Sequence, residues 1–203
     1  MEQINKTILD IAKALLKEAG STGISKVKLA KMIYFTHKEL CKKGVLALNS
    51  IQYIRMPLGP VPCGFKDLKN CDFIEVKEEP LAGGLFYNRE VYTLKGLLGE
   101  NTTELSRVAE SVFKKLNAMA TSALVEESHN DPSWKSHQNG SEYYIKQEDL
   151  DVRIPNKTES VSDYGVSDSQ RLQALLLEGM LEDVVRESTR LEYPHYGDDP
   201  ISK

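Results

Sequence analysis

Between Lys26 and Lys42 the sequence KVKLAKMIYFTHKELCK repeats apolar positions at helical spacing. Ala30, Ile33, Tyr34, His37 and Cys41 fall on one stripe, and Leu29, Met32, Phe35 and Leu40 widen it. Little polar face remains apart from the lysines, so the spacing predicts a central helix covered on several sides. Ser25 is placed to cap its start and Gly44 to end it. Before it, Ile4, Ile8, Ile11, Ala12, Leu15 and Ala19 predict a helix over Ile4–Ala19, broken by Gly20 and Gly23. After it, Ile51–Met56 is a candidate strand, and MPLGPVPCGF over Met56–Phe65 reads as a stiff, shaped loop, because proline carries no backbone donor. A short helix is expected over Phe65–Asn70. Phe73–Val76 and Leu85–Thr93 read as a hairpin turning through Pro80, Gly83 and Gly84.

Further on, Leu105, Val108, Ala109, Val112, Phe113, Leu116 and Met119 predict a helix over Thr103–Met119, capped by Thr102 or Thr103. Ala120–Glu127 is apolar enough for another. His129–Gly140 reads as a loop or turn carrying the only tryptophan, Trp134. Residues 151–167 have the composition of a linker, and Leu172, Leu176, Met180 and Val184 lie on one face of a final helix over Asp168–Thr189. The fold class expected is mainly α with a small antiparallel β element (α+β). The expected domains are 1–150, a linker over 151–167, and a C-terminal helix and tail over 168–203.

Composition keeps this picture within ordinary globular proteins: 40% of residues are hydrophobic and 28% charged, and no run reaches the ~18 apolar residues of a membrane span. The first residues, MEQINKTILD, lack the pattern of a secretory signal, and three irregularly spaced cysteines suit no disulfide framework, so a reduced cytoplasmic setting is expected. The net charge of −4 is unevenly divided: +5 over the first 115 residues and −9 over the rest. That asymmetry suits a nucleic acid for the front part or a basic partner for the back part, or simple compensation within the fold.

Candidate chemistry is sparse. His37 and Cys41 share a helix face and Cys63 and Cys71 follow, but no paired C-x-x-C knuckle supports a zinc site. No glycine-rich phosphate loop lies between a strand and a helix. The element order approaches that of a winged helix, with Lys66 and Lys69 on the short helix and Lys77 and Arg89 on the hairpin. The short helix KDLKNC nevertheless offers few side chains that read bases. No metal and no cofactor is expected.

Three stretches carry a family resemblance. KLAKMIYFTH (Lys28–His37), YIRMPLGPVP (Tyr53–Pro62, with Gly59-Pro60-Val61) and LVEESHNDPSW (Leu124–Trp134, with Ser128-His129, a spacer at Asp131, then Pro132 and Trp134) occur in that order. Together they resemble the Panacea domain, also called SocA-like, of bacterial and phage antitoxins and phage-associated proteins, over about Ile4–Ile145. The resemblance implies a mainly helical domain that is not an enzyme and neutralises a protein toxin by direct binding. The alternatives it leaves are a proteolytic adaptor handing a toxin to a protease, and, from the element order, a winged-helix-like DNA-binding regulator. The partner-binding residues it points to are Pro57, Gly59, Pro60, Val61, His129 and Trp134. No membrane contact is expected. The C-terminal helix, whose apolar face needs cover, is expected to dock on a partner or on a second copy as a homodimer.

Overall fold

The protein is described by a computed structural model over residues 5–80, 88–96 and 103–151. The linker and C-terminal helix expected beyond residue 151 lie outside the described residues, as does the hairpin tip over 81–87.

The apolar stripes become three packed helices. α1 (Lys6–Ala19) buries Ile8, Ile11, Ala12, Leu15, Leu16 and Ala19, and is capped by Asn5, whose side chain accepts from the Thr7 amide. α2 (Lys26–Lys42) is the central helix, with twelve of its seventeen residues buried. α3 (Glu104–Leu116) buries Val108, Ala109, Val112 and Leu116, and Thr103 and Ser106 form a reciprocal capping box at its start. α1, α2 and α3 pack on one another and form the apolar core.

Two antiparallel sheets flank this core. In the first, the two-residue β1 (Ile24–Ser25) pairs with β5 (Asn88–Leu94), which pairs with β4 (Ile74–Pro80) in the register Ile74↔Leu94 to Pro80↔Asn88. The hairpin expected from sequence is therefore present. β1 is an addition made possible by Gly23, where a Cβ would stand 2.6 Å from the Tyr92 carbonyl oxygen. In the second sheet β2 (Gln52–Met56) lies between β3 (Gly59–Pro62) and β6 (Glu142–Tyr144).

β3 corrects the expectation of an irregular loop over Met56–Phe65. Its prolines stand opposite Arg55 and Tyr53, while Met56↔Gly59 and Ile54↔Val61 are the intervening pairs. Cys63 donates to the Gln52 carbonyl at 2.8 Å, which fixes the alternation. Ladder bonds thus fall on Gln52, Ile54 and Met56. Pro60 and Pro62 occupy positions whose nitrogens face the open edge, where no donor is needed. β2 turns its other set of backbone groups to the β6 side, with the Arg55 amide donating to Ser141 at 2.9 Å and Gly140 donating to Arg55 at 2.8 Å.

The remaining elements are short. Phe65–Asn70 is a 3₁₀ helix burying Phe65 and Leu68. α4 (Thr121–Ser128) is followed by α5 (Pro132–Ser136), where a loop or turn was expected, and α6 (Gln147–Leu150) follows β6. Pro132 opens α5 at a position where its missing N–H costs nothing. No helix among the described residues is long and apolar enough to cross a membrane.

Candidate functional site

α2 carries a polar stripe through its buried surface. Lys28, Lys31 and Lys38 are spaced so that they share a face, and Tyr34 lies between them. Each lysine reaches a different part of the chain. Lys28 donates to the carbonyls of Asn117 (2.6 Å) and Met119 (3.0 Å), just past the end of α3. Lys31 donates to the Pro60 carbonyl at 2.8 Å. Lys38 donates to both carboxylate oxygens of Asp131, at 2.7 and 2.8 Å, and Tyr34 donates its hydroxyl to the same carboxylate. Lys38 and Asp131 are both 0% exposed. Burial works against each of these charges, and the partner's charge opposes that cost. Asp131 is therefore no spacer within the Pro-Trp signature but the counter-charge of the central helix. Two of the lysines that the sequence assigns to the polar face of α2, Lys31 and Lys38, are buried.

The β2–β3 turn sits on this stripe. Pro57 is exposed at its tip, Gly59 and Pro60 are buried, and Val61 is half-buried opposite Ile54. Gly59 has φ 91°. A Cβ there would overlap Ser128 Oγ and lie 2.9 Å from Lys31 Nζ, so only glycine lets the turn approach α2 and α4 this closely. Ser128 Oγ donates to the Val125 carbonyl at 2.7 Å.

His129 and Trp134 come to the same place. Their rings stack with centroids 3.9 Å apart and planes 14° apart. The Trp134 indole donates to the Met56 carbonyl at 3.1 Å, tying α5 to the base of the turn. The Arg55 guanidinium carbon lies 4.0 Å from the centre of the Trp134 ring, a cation–π arrangement. Burial, with the positive charges of Lys31 and Arg55, pushes the His129 imidazole below its ordinary pKa, and a backbone contact from Pro57 acts in the opposite direction. The structure thus brings together Pro57, Gly59, Pro60, Val61, His129 and Trp134, which the sequence places more than sixty residues apart. It adds Lys31, Arg55 and Ser128 to them. All three lie inside the family-like stretches, Lys31 in KLAKMIYFTH, Arg55 in YIRMPLGPVP and Ser128 in LVEESHNDPSW, but nothing in the sequence marks them off from their neighbours there.

The other candidates are placed elsewhere. His37 contacts the Tyr53 hydroxyl at 3.0 Å and the Ala47 carbonyl at 3.3 Å, and burial lowers its pKa to about 4, so it is neutral and both ring nitrogens are engaged. Cys41, Cys63 and Cys71 are free thiols; burial raises Cys41 and Cys63 to about 11, which suppresses the thiolate. Among the described residues no group of three or more His, Cys, Asp or Glu side chains could hold a metal ion. Arg89 pairs with Glu79 at 2.8 Å and Lys77 with Glu75 at 3.3 Å, so the basic residues of the hairpin face carboxylates on the hairpin itself.

What the fold and site define is a small α+β domain in which a central helix uses buried lysines to hold a proline-bearing turn and a stacked Arg–Trp–His group. The chain belongs to the antitoxin SocA-like, Panacea domain family. The family's model matches residues 29–135, a span running from α2 through Trp134. No curated protein and no solved structure matches the chain.

Proposed function

We propose that the protein is an antitoxin-like neutraliser that binds a toxin protein directly, without catalysing a reaction, and that the surface around Pro57, Arg55, His129 and Trp134 is where it binds. Membership of the antitoxin family carries the reading. The turn geometry supports the choice of surface. Pro57 fixes φ at the tip, Gly59 is locked against Ser128 and Lys31, and Trp134 anchors the Met56 carbonyl, so little conformational freedom is left to lose on docking. A half-buried Trp with an Arg against it is also the residue pairing that concentrates binding energy at protein interfaces.

The test is rescue. The chain is co-expressed with the product of the adjacent gene, and growth is followed for the wild type and for Trp134→Ala. The wild type is expected to restore growth and Trp134→Ala to fall short by at least tenfold in surviving cells. No rescue by the wild type from any neighbouring product would refute the proposal. Repeating the assay in a protease-deficient host separates neutralisation by binding, which persists, from delivery of the toxin to a protease, which does not. A regulator touching DNA through the hairpin is the weaker reading. β4 and β5 carry two basic against four acidic side chains, and such a strand pair repels phosphate.

A further inference from the structure

Three arginines lie among the described residues, and two of them are paired. Arg89 donates to Glu79 at 2.8 and 3.2 Å, and Arg107 to Glu104 at 3.2 Å. Arg55 has no hydrogen bond or ion pair from its side chain among the described residues, and its Nε is buried and unsatisfied. Its guanidinium carbon lies over the Trp134 ring, and its charge is felt by His129 and Tyr143. Nearby, His129 Nε2 is also buried without a partner. Lys31, 1% exposed, has a neutral carbonyl for its only recorded acceptor. Three nitrogen groups therefore gather at one turn with no carboxylate paired to any of them among the described residues, whereas Lys38, about two turns further along α2, is paired with Asp131.

Buried nitrogen groups left without a hydrogen-bond partner, as Arg55 Nε and His129 Nε2 are, are costly to maintain for stability alone. The guanidinium, its carbon 4.0 Å from the centre of the indole, carries a planar donor fork, the geometry that a planar carboxylate meets with two parallel hydrogen bonds. We infer that Arg55, backed by His129 and Lys31, is the recognition point for an Asp or Glu carboxylate presented by the bound protein beside Pro57. The inference rests on the proposed antitoxin surface and names the chemistry that surface reads. A polyanion is a poorer match, because the chain's net charge of −4 repels an extended phosphate backbone while a single carboxylate feels mainly its nearest neighbours.

Trp134 is the only tryptophan in the chain, so its emission reports on this site alone. The full chain is titrated with a short blocked peptide containing two glutamates, with the same peptide carrying glutamines, and with inorganic phosphate. The glutamate peptide is expected to give a saturable change at least tenfold more potent than either of the others. Arg55→Gln is expected to erase the difference between the peptides, while Arg107→Gln, altered on the exposed face of α3, preserves it. If Arg55→Gln does not fold by circular dichroism, His129→Gln serves as the second variant, with at least a threefold loss of the glutamate preference expected. Equal responses to both peptides, an equal response to phosphate, no emission change at all, or an unaltered preference in the variants would each overturn the assignment. Toxin rescue by the wild type alongside such a result would leave the antitoxin proposal standing and remove only the carboxylate.

Discussion

Lys38 and Asp131 are both fully buried and ion-paired, with Asp149 a weaker second counter-charge for Lys38. Truncating one strands the other in a low-dielectric interior, which typically costs about 3–5 kcal/mol. Lys38→Met and Asp131→Leu should each lower the unfolding free energy by that much in urea titrations. Made together, they should cost much less than the sum, because the double variant leaves no isolated charge. Strict additivity would mean that the pair contributes no coupling. His37 gives a second expectation at this scale. Its folded pKa is about 4 and its unfolded value about 6.5, so below pH 6.5 the unfolded chain binds more protons than the folded one. Stability should therefore be unaffected by this group above pH 6.5, fall as pH drops from 6.5 to 4, and change no further below 4. At ~1.4 kcal/mol per pH unit the loss is about 3 kcal/mol. Unfolding midpoints at pH 6.5 and 4 should show that loss in the wild type and not in His37→Gln; equal slopes would show that the imidazole protonates as easily in the fold as outside it.

Among the elements, those with a single dominant periodicity were legible from sequence. α1, α2 and α3 appear where their apolar stripes place them: α2 has the expected bounds, α1 the expected end, and α3 starts one residue later and ends three earlier. The elements missed were those decided by distant partners. β3 was hidden because prolines argue against a strand, and their harmlessness depends on which side of the ladder they face, a fact set by the register with β2. The roles of Lys31 and Lys38 were hidden because their acceptors, Pro60 and Asp131, are 29 and 93 residues away. The site was half legible: the motif residues do gather, but Arg55 and the buried lysines give them their charge. Gly59 is where sequence and packing meet. Gly59→Ala would force a left-handed φ on an alanine and press its Cβ into Ser128 and Lys31. A loss of about 1–3 kcal/mol is expected in chemical unfolding, and more if Lys31 is driven from the Pro60 carbonyl. Substituting the exposed Pro57 by Ala should cost under about 1 kcal/mol. An equal cost at both positions would argue that the close approach to α2 is unimportant.

At the scale of the whole molecule, two kinds of attachment coexist. α1, α2 and α3 are joined by apolar contact, with side chains such as Ile11, Leu15, Met32 and Val112 almost entirely buried. The part that carries the stack, from α4 to α6 together with β2 and β3, is fixed to α2 through Lys31, Lys38 and the His37–Tyr53 contact, with Tyr53, Leu124, Tyr143, Ile145 and Leu150 as its apolar share. Within it, the Asp149 carboxylate accepts from the Ser133 and Lys146 amides at 2.8 and 2.7 Å, which ties α5 to α6. A region whose attachment depends in part on buried polar ties should open below the global unfolding energy once such a tie is cut. Asp131→Asn keeps the size of the side chain and removes its charge. Amide hydrogen exchange should then quicken by at least tenfold over residues 121–150 and in β2, while the slowest amides of α1 and α3 change by less than threefold. Because Arg55, His129 and Trp134 all belong to the loosened part, this variant should lose toxin rescue while its helical circular dichroism is retained. Uniform acceleration through all three core helices would instead mean that the domain unfolds as one unit, and that the lysine stripe has no separate part in presenting the binding surface.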